Sequence, residues 1–514
     1  MKNLLSSLSL LVVLSFTSCS KQESGIENSP SGPVLVQKKT PASPPQGDPY
    51  TKSRLDDHIL SVLQSANGFQ WDWMDLKTIW SALQTEGGLL AIGYKPAGEG
   101  DVSGKLHSIR VGSGEWKAVH DALLEFIREE LSKTSGADVA IEDFLVEDDP
   151  VLPVITVRLT DKQLLTKLAS LENIRYLEPL GYWPAQVPRS TSGCSGSSTV
   201  VNTADYISTL PAALQPWNYA LHQVPGAWNN AQGSGMTIGV IDAGLSSTQS
   251  LLGSMFNNGY SNVGRVVTTD YTFGTSAFTN CTHGTSMAAL ALGPRNNLGA
   301  PSGVAYKSNL HFIRAAEDVV LDLSSEISAV KSAFVKMGNR QSVKIISLSM
   351  GTPFGSSVLK DGVDYAYGKG KIIFAAAGTS FGLTSWWGVI YPAAYSSCLA
   401  VTGVKESGGR CSSCHDGGAV IYTITMERDV DNSRNTLSLK PTGYAPAYVG
   451  GSSCATAMAA GIAATVWSAK PTMTRAQLQT CLTNTSQFYP TRTSTKGYGN
   501  LNASAAVNFA LTNY

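Results

Sequence analysis

Five short, nearly continuous apolar runs constrain the fold of this 514-residue chain more than any other feature. Such runs are typical of strands that are buried on both faces of a parallel sheet. Segments of helical character at 324–337 and 359–368 lie between them, so the pattern predicts an α/β fold, a parallel sheet sandwiched by helices. In such a fold the functional groups gather at the carboxyl ends of the strands. The runs are Met236–Asp242, Asn309–Ala315, Val343–Met350, Lys371–Ala377 and Cys398–Val404.

Charge is spread unevenly along a chain whose net charge is zero. Residues 51–183 hold 21 acidic and 13 basic residues, a net charge of −8. Residues 184–514 hold 14 acidic and 21 basic residues, a net charge of +7. This change indicates a domain boundary near 184–212 and predicts that the two parts attract each other. The lack of a basic excess argues against a dedicated nucleic-acid binder.

The first residues have the pattern of an export signal. A short basic start is followed by the apolar run Leu4–Phe16, which is too short to span a membrane as a mature helix. Cys19 stands where a bacterial lipoprotein signal ends, so we expect lipidation at Cys19 and a membrane anchor there. An ordinary signal peptide, followed by secretion, is the alternative. We therefore assign residues 1–18 to the signal and the Pro/Ser-rich residues 19–52 to a flexible tether outside the cytoplasm.

The next part of the chain predicts a small α+β domain over residues 53–183. Alternating and β-branched residues predict strands at Val154–Leu159 and Ile174–Pro179, and helical spacing predicts helices at 116–131 and 160–170. Residues 184–212 are rich in Ser, Thr and Gly and predict an exposed linker. The larger α/β domain then occupies residues 213–514.

Three reactive side chains stand at predicted strand or helix ends. Asp242 closes an apolar strand, and His283 begins an Ala-rich apolar stretch. Ser453 opens a long uncharged stretch that predicts a buried helix, whose free N–H groups and positive dipole end favour a developing oxyanion. Each of the three alone is more often structural than catalytic. Together they follow the order Asp, His, Ser, one of three known chain orders of a serine-peptidase triad.

The residue sequences of the three motifs resemble those of the subtilisin-like serine peptidases. The matching stretches are Val240–Gly244 around the aspartate, His283-Gly284-Thr285 and Gly451–Ala455 around the serine. The resemblance covers roughly Trp217–Phe509. It implies that Ser453 attacks the peptide carbonyl, that His283 acts as general base and then general acid, and that Asp242 orients and stabilises the imidazolium.

The same resemblance implies where a protein or peptide substrate lies. The substrate backbone would run beside Ser349-Met350-Gly351 and approach Ala376-Ala377-Gly378. The family usually has Asn as an oxyanion donor at the position of Thr379. We therefore expect the hydroxyl of Thr379 to replace that Asn beside the backbone N–H of Ser453, or activity to be reduced.

The small domain resembles the inhibitory propeptides of the family, chiefly over Val154–Pro179. It would assist folding and occupy the cleft of its own peptidase until the linker 184–212 is cut. An unrelated accessory domain is the alternative. The opposite net charges of the two parts fit such a complex.

The cysteines leave other functions to weigh. If Cys19 is lipidated, seven cysteines remain, so at least one thiol is unpaired. The motif Cys411–His415 matches covalent c-type haem attachment, but a surface loop with a local disulfide is the simpler interpretation. Two rivals therefore stand against an active peptidase: a catalytically silent relative that only binds, and a haem-bearing redox protein. No cofactor is certain; calcium is common in the family, but no site for it or another metal can be placed.

Overall fold

The small N-terminal domain is built on a four-stranded antiparallel sheet in the order β2-β3-β1-β4. The computed structural model describes residues 34–66, 68–187, 192–194, 198–379 and 388–514. The strands expected at Val154–Leu159 and Ile174–Pro179 are present, and Asp161 caps the helix between them by accepting from the Gln163 N–H at 2.7 Å. The domain's elements are α1 (Lys52–Ala66), α2 (Leu76–Thr85), β1 (Leu89–Tyr94), α3 (Gly114–Ser135), α4 (Ile141–Phe144), β2 (Leu145–Asp148), β3 (Val154–Arg158), α5 (Lys162–Ala169) and β4 (Ile174–Pro179).

The segment that precedes this domain is bound to it, at least from residue 34 onward. The Val36 N–H donates to Asn173 Oδ1, the Glu172 N–H donates to the Val36 carbonyl, and the Lys38 N–H donates to the Ser170 carbonyl, each at 2.8 Å. The expectation of a flexible tether over the whole of 19–52 is therefore wrong for this part. The predicted signal and Cys19 lie outside the described residues.

A seven-stranded parallel sheet forms the centre of the larger domain. All five apolar runs are strands of this sheet, with small differences at their ends. The strand order is β13-β12-β11-β10-β7-β9-β8. The strands and short hairpins are β5 (Tyr206–Thr209), β6 (Ala213–Pro216), β7 (Thr237–Asp242), β8 (Val267–Tyr271), β9 (Asn309–Arg314), β10 (Val343–Leu348), β11 (Ile372–Ala376), β12 (Leu399–Lys405), β13 (Val420–Glu427), β14 (Thr436–Leu439) and β15 (Pro446–Val449).

Helices cover both faces of this sheet, which explains why its strands are apolar throughout. On β11, Ile372 and Phe374 belong to one hydrophobic cluster, whereas the intervening Ile373 belongs to the other. One cluster includes α7 and α10 and the other includes α8 and α9. The helices are α6 (Val224–Ala227), α7 (His283–Leu292), α8 (Ser324–Asn339), α9 (Ser357–Gly368), α10 (Gly451–Ala469), α11 (Arg475–Asn484) and α12 (Ala503–Asn513).

The two domains pack against each other within one compact unit, Val34–Tyr514. Tyr176 of β4 shares a hydrophobic cluster with Val335 of α8 and with Val358 and Tyr365 of α9. The sheet of the small domain therefore lies on the two helices that cover the outer face of the larger one. Over the part of the chain that the structure describes, no helix is long and apolar enough to cross a membrane.

Much of the described part of the linker 184–212 is exposed, as expected, but the linker is attached to the larger domain and is partly buried at some points. Val187 is buried, and Cys194 forms a disulfide with Cys281 of the larger domain. Further on, the buried carboxylate of Asp205 accepts from Arg428 Nε at 2.9 Å and from Arg434 Nη2 at 2.7 Å. The linker is thus attached to the larger domain at two separate points.

Candidate active site

The aspartate and the histidine of the predicted triad are in direct contact. Asp242 is the last residue of β7, is fully buried, and its Oδ1 is 2.8 Å from His283 Nδ1. The Ala243 N–H also donates to Oδ1 at 2.8 Å. The carboxylate therefore fixes the orientation of the ring and leaves Nε2 as the nitrogen available for proton transfer.

The surroundings of His283 favour its protonated form. Burial by itself lowers the pKa of this imidazole, but the charge and hydrogen bond of Asp242, with a further contribution from Asp318, outweigh it and raise the pKa above its ordinary value. A raised pKa makes His283 a stronger proton acceptor, as a general base for a serine requires.

Ser453 lies in the first turn of α10, where the sequence predicts a buried helix with its N–H groups free. Its Oγ donates to the Ser349 carbonyl at 3.2 Å, and Ser349 Oγ donates back to the Ser453 carbonyl at 3.1 Å. Among the described residues, no hydrogen bond joins Ser453 Oγ to His283. Both side chains nevertheless line one cavity of about 660 Å³. A rotation of the serine side chain is needed before the histidine can take its proton.

Thr379 lies beside the nucleophile, but its hydroxyl is directed at Ser452. Its Oγ1 accepts from the Ser452 N–H at 3.3 Å and is 3.2 Å from Ser452 Oγ, which in turn accepts from the Gly378 N–H at 3.1 Å. Gly451 has φ +79°, and a Cβ there would lie 2.8 Å from Thr379 Oγ1. The turn before Ser453 is therefore held closely against the loop that contains Thr379.

Comparison with known proteins identifies the larger domain. The family model described as Peptidase S8, the subtilase family, matches residues 233–502, which is more than half of the chain. The chain belongs to the subtilase family. It is thereby assigned to the subtilisin-like serine endopeptidases.

Individual proteins similar to this chain include two peptidases and one solved structure. Thermitase of Thermoactinomyces vulgaris is 31% identical over 38% of this chain and 65% of its own length. Subtilisin NAT of Bacillus subtilis subsp. natto is 31% identical over 55% of this chain and 69% of its own. The crystal structure of MycP1 from Mycobacterium smegmatis is 19% identical, with a TM-score of 0.46 over 59% of this chain and 87% of that one.

In this subtilase, the backbone edge at which substrate is expected to bind is already hydrogen-bonded to another segment of the same chain. The Gly351 N–H donates to the Val319 carbonyl and the Leu321 N–H donates to the Gly351 carbonyl, both at 2.9 Å. Ser349, Met350, Ala376 and Gly378 line the cavity. Ala377 is fully buried. A substrate strand beside Gly351 has to displace the segment 319–321.

Asp318, which the sequence analysis missed, lies close to the triad of this subtilase. It is 9% exposed and acts electrostatically on both His283 and Asp242. Its Oδ1 accepts from the Val319 N–H at 2.7 Å, and the backbone of Gly193 also donates to it. Burial raises the pKa of Asp318, and these two donors oppose that rise. Its position shortly after β9, at the carboxyl edge of the sheet, was the available signal.

In the motif Cys411–His415, both cysteines and the histidine are buried inside the subtilase domain. Cys411 and Cys414 form a disulfide and are both 1% exposed, so the expectation of a surface loop is wrong, although the local disulfide is present. With both sulfurs joined, neither thiol is available for haem. The His415 N–H donates to the Gly378 carbonyl at 2.9 Å, and burial lowers the pKa of its imidazole to about 4.

No group of three or more His, Cys, Asp or Glu side chains that could hold a metal ion is found within the described ranges. Two further histidines of the larger domain, His222 and His311, have structural surroundings. His222 is buried, with Nδ1 2.8 Å from the Leu501 carbonyl and Nε2 accepting from the Thr425 N–H at 2.9 Å. His311 lies inside β9, as the sequence predicts.

Proposed function

We propose that this subtilase is a self-processed zymogen whose Asp242, His283 and Ser453 cut peptide bonds in protein substrates. The observation that carries the proposal is the 2.8 Å contact between a fully buried Asp242 and His283, in a cavity shared with Ser453. Ser453 Oγ attacks the carbonyl carbon while His283 takes its proton. His283 then protonates the leaving amine, and water releases the acyl group from the serine by the reverse roles.

Charge on the tetrahedral oxygen is stabilised by donors at the start of α10. The Ser453 N–H belongs to the first turn, where backbone donors lack helical partners and the helix dipole is positive. Thr379 contributes its hydroxyl once it turns from Ser452 towards the reacting carbonyl. The present hydrogen bonds of the Thr379 side chain keep this side chain close to the first turn of α10, which contains Ser453.

The small domain serves as the inhibitory propeptide in this proposal, and buried charges hold it in place. Arg175 of β4 forms two hydrogen bonds with Asp361 of α9, at 2.8 and 2.6 Å, and the Tyr176 hydroxyl donates to the same carboxylate at 2.9 Å. Lys331 of α8 is 1% exposed, and its Nζ lies 2.8 Å from Glu147 Oε1 and 2.6 Å from Asp149 Oδ2. The two pairs of Lys331 follow the net charges of the domains, acidic small domain to basic larger one, whereas the Arg175–Asp361 pair has the opposite polarity.

A further carboxylate of the small domain binds the N-terminus of a peptidase helix. Glu178 Oε2 accepts from the Ser357 N–H at 2.6 Å and from the Val358 N–H at 3.4 Å, both in the first turn of α9. An acceptor here satisfies donors that the helix itself cannot satisfy. The contact supports a domain fitted to its own peptidase rather than an unrelated accessory.

Export and membrane attachment complete the proposal. The apolar run Leu4–Phe16 and Cys19 support export, with a lipid anchor at Cys19 in the cell envelope and secretion as the alternative. Replacing Cys19 by Ala should move an anchored protein into the soluble fraction. Unchanged fractionation, with no lipid on the mature N-terminus, would leave an ordinary signal peptide.

A fluorophosphonate probe tests the catalytic assignment. The wild-type protein should be labelled and should cut peptides, whereas Ser453→Ala should do neither. Ser452→Ala is the matched control: it should keep the label, although it loses the hydrogen bonds to Gly378 and Thr379. Labelling that survives Ser453→Ala but not Ser452→Ala would overturn the choice of nucleophile.

A catalytically silent relative that binds peptides without cutting them is the second candidate. Two observations favour it: Ser453 Oγ donates to Ser349, and the Thr379 hydroxyl is directed at Ser452. The same probe separates the two functions, since a silent relative binds peptide but takes up no label after the small domain is removed.

A further inference from the structure

The linker is covalently attached to the catalytic edge of the peptidase domain. Cys194 forms a disulfide with Cys281, two residues before His283. Thr282 Oγ1 also donates to the Cys194 carbonyl at 3.2 Å. Gly193 lies so close to Asp318 and Val319 that a Cβ there would be 2.5 Å from Asp318 Oδ1. Residues 193 and 194 are therefore fixed beside the triad.

The chain on either side of this disulfide differs in accessibility. Before it, Trp183 and Val187 are buried in the core of the small domain, and Trp183 Nε1 donates to the Val187 carbonyl at 2.8 Å. After it, the residues 198–200 are exposed, and Val200 is 89% exposed. A peptidase needs an exposed segment outside tight turns. Ala185 and Gln186 are exposed but lie in a turn closed by the Val187 N–H and the Pro184 carbonyl at 3.1 Å, so among the described residues the accessible segment beside the disulfide is 198–200.

The exposed stretch ends at a second attachment to the peptidase domain. The Asn202 N–H donates to the Tyr448 hydroxyl at 3.0 Å, and Asp205 is bound by Arg428 and Arg434. A cut between residues 198 and 202 therefore separates two anchored segments. The segment before the cut stays attached through the disulfide, and the segment after it stays attached through Tyr448 and Asp205.

We propose that processing between residues 198 and 202 gives a two-chain enzyme, in which the N-terminal chain remains covalently bound through Cys194–Cys281. This inference rests on the proposed function, since it takes Ser453 to be an active nucleophile. The partner that the disulfide retains is the small domain, which carries the ion pairs to α8 and α9. Trp183 and Val187, which precede the cut, line the same cavity as Ser453, so cutting the backbone alone does not free that cavity.

Retention by a disulfide changes the strength of inhibition. A short tether holds its partner at an effective concentration of about millimolar order, whatever the dilution. Release requires a dithiol: its two thiols become a disulfide, and Cys194 and Cys281 take up the two electrons and two protons. Exported proteins meet oxidising surroundings, so the crosslink persists until such a reductant acts. Cys194 is partly exposed and within reach of it.

Electrophoresis of the processed full-length protein tests the proposal. Without reductant, the processed protein should run as one species; with reductant, it should give two chains, the second starting between residues 199 and 202. After dilution to nanomolar concentration, adding dithiothreitol should raise peptidase activity roughly 10²-fold or more, because the released domain no longer benefits from the tether.

Two variants make the test specific. Cys194→Ser/Cys281→Ser should separate into two chains without reductant and should not respond to it. Cys411→Ser/Cys414→Ser removes the other disulfide and should still need reductant for separation. If the double variant fails to fold, the wild-type response to dithiothreitol decides alone.

Chains that separate without reductant, or a mature chain that starts at or before Cys194, would overturn this inference. Such outcomes, with Ser453 still labelled by the fluorophosphonate, would leave the proposed function standing. No labelling in any form would instead remove the proposed function.

Discussion

The two domains of this protein use charge differently. Over residues 51–183, 34 of 133 residues are charged, against 35 of 331 from residue 184 onward. The peptidase domain places an uncharged helix, α10, against its sheet, and the carboxylate that it buries fully near the start of that helix is Asp242, to which we assign a catalytic role. The small domain instead presents Arg175, Glu147 and Asp149 to its partner. We infer that catalysis depends on pH through His283, which can act as a base only when deprotonated, whereas docking of the small domain depends on pH through Glu178.

The largest effect is expected from the buried carboxylate of Asp242. Asp242→Asn should reduce kcat about 10⁴-fold, the size found for the corresponding change in another serine-peptidase triad, because the imidazole then adopts the wrong tautomer. Docking of the small domain should not change. The variant is first processed by immobilised wild-type enzyme and reduced; single-turnover kinetics then measure kcat, and gel filtration measures docking. A loss of docking would mean that the two kinds of charge are coupled.

Removal of the buried docking pair comes next. Arg175→Ala leaves Asp361 buried and unpaired, which costs about 3–5 kcal/mol and weakens docking roughly 10²–10³-fold or more. The released N-terminal chain, added back to the reduced and processed enzyme, gives the inhibition constant. Arg128→Ala removes an exposed pair with Glu125 inside the small domain and is the matched control, with a change of less than about tenfold. Equal effects of the two variants would contradict the importance of burial.

A smaller effect is expected at the start of α10. Thr379→Val keeps the shape of the side chain but removes both the acceptor of the Ser452 N–H and the hydroxyl offered to the oxyanion. We expect kcat to fall about 10–10²-fold with little change in KM, as for one lost hydrogen bond. Full activity would mean that the Ser453 N–H and other donors suffice.

The mildest test changes only the pH. Burial raises the pKa of Glu178 to about 7, although the N–H groups of Ser357 and Val358 oppose the rise. A carboxyl group whose pKa is raised in the docked complex favours docking when it is protonated. This favourable contribution is complete below pH 4.5, the unperturbed pKa, and is lost as the pH rises from 4.5 towards 7. The inhibition constant should increase across this window by at most about tenfold per pH unit. Glu178→Gln should flatten the profile, and a profile unchanged by it would assign the pH dependence to other groups.

Much of the fold and the core of the site could be predicted from the sequence, for identifiable reasons. A strand that is buried on both faces has to be apolar throughout, so β7 and β9 to β12 were visible as runs. Asp242, His283 and Ser453 stand in short local motifs, and their contexts carried the assignment. By contrast, β2 is a short edge strand whose residues Leu-Val-Glu-Asp give little β signal.

What the sequence could not give depends on contacts between distant residues. The pairing of Cys194 with Cys281, and the free state of Cys398, Cys454 and Cys481, follow from which loops meet in space. The direction of the Thr379 hydroxyl depends on where Ser452 stands. Nothing in the sequence distinguishes Glu178 and Asp361 from other acidic residues, because their roles follow from the packing of β4 against α9.

The strand order of the larger sheet has a consequence for how quickly this protein folds. β7 lies between β9 and β10, which follow it by about 70 and 100 residues, so its central contacts all require distant parts of the chain to meet. Chains rich in such contacts fold slowly, because loop closure precedes the energy gained from pairing. The small domain precedes the larger one in the chain, is therefore synthesised first, and presents the surface on which α8 and α9 rest. If the small domain is the propeptide proposed above, we expect it to act as a template that speeds assembly of the sheet, so that a chain lacking it spends longer in states prone to aggregation.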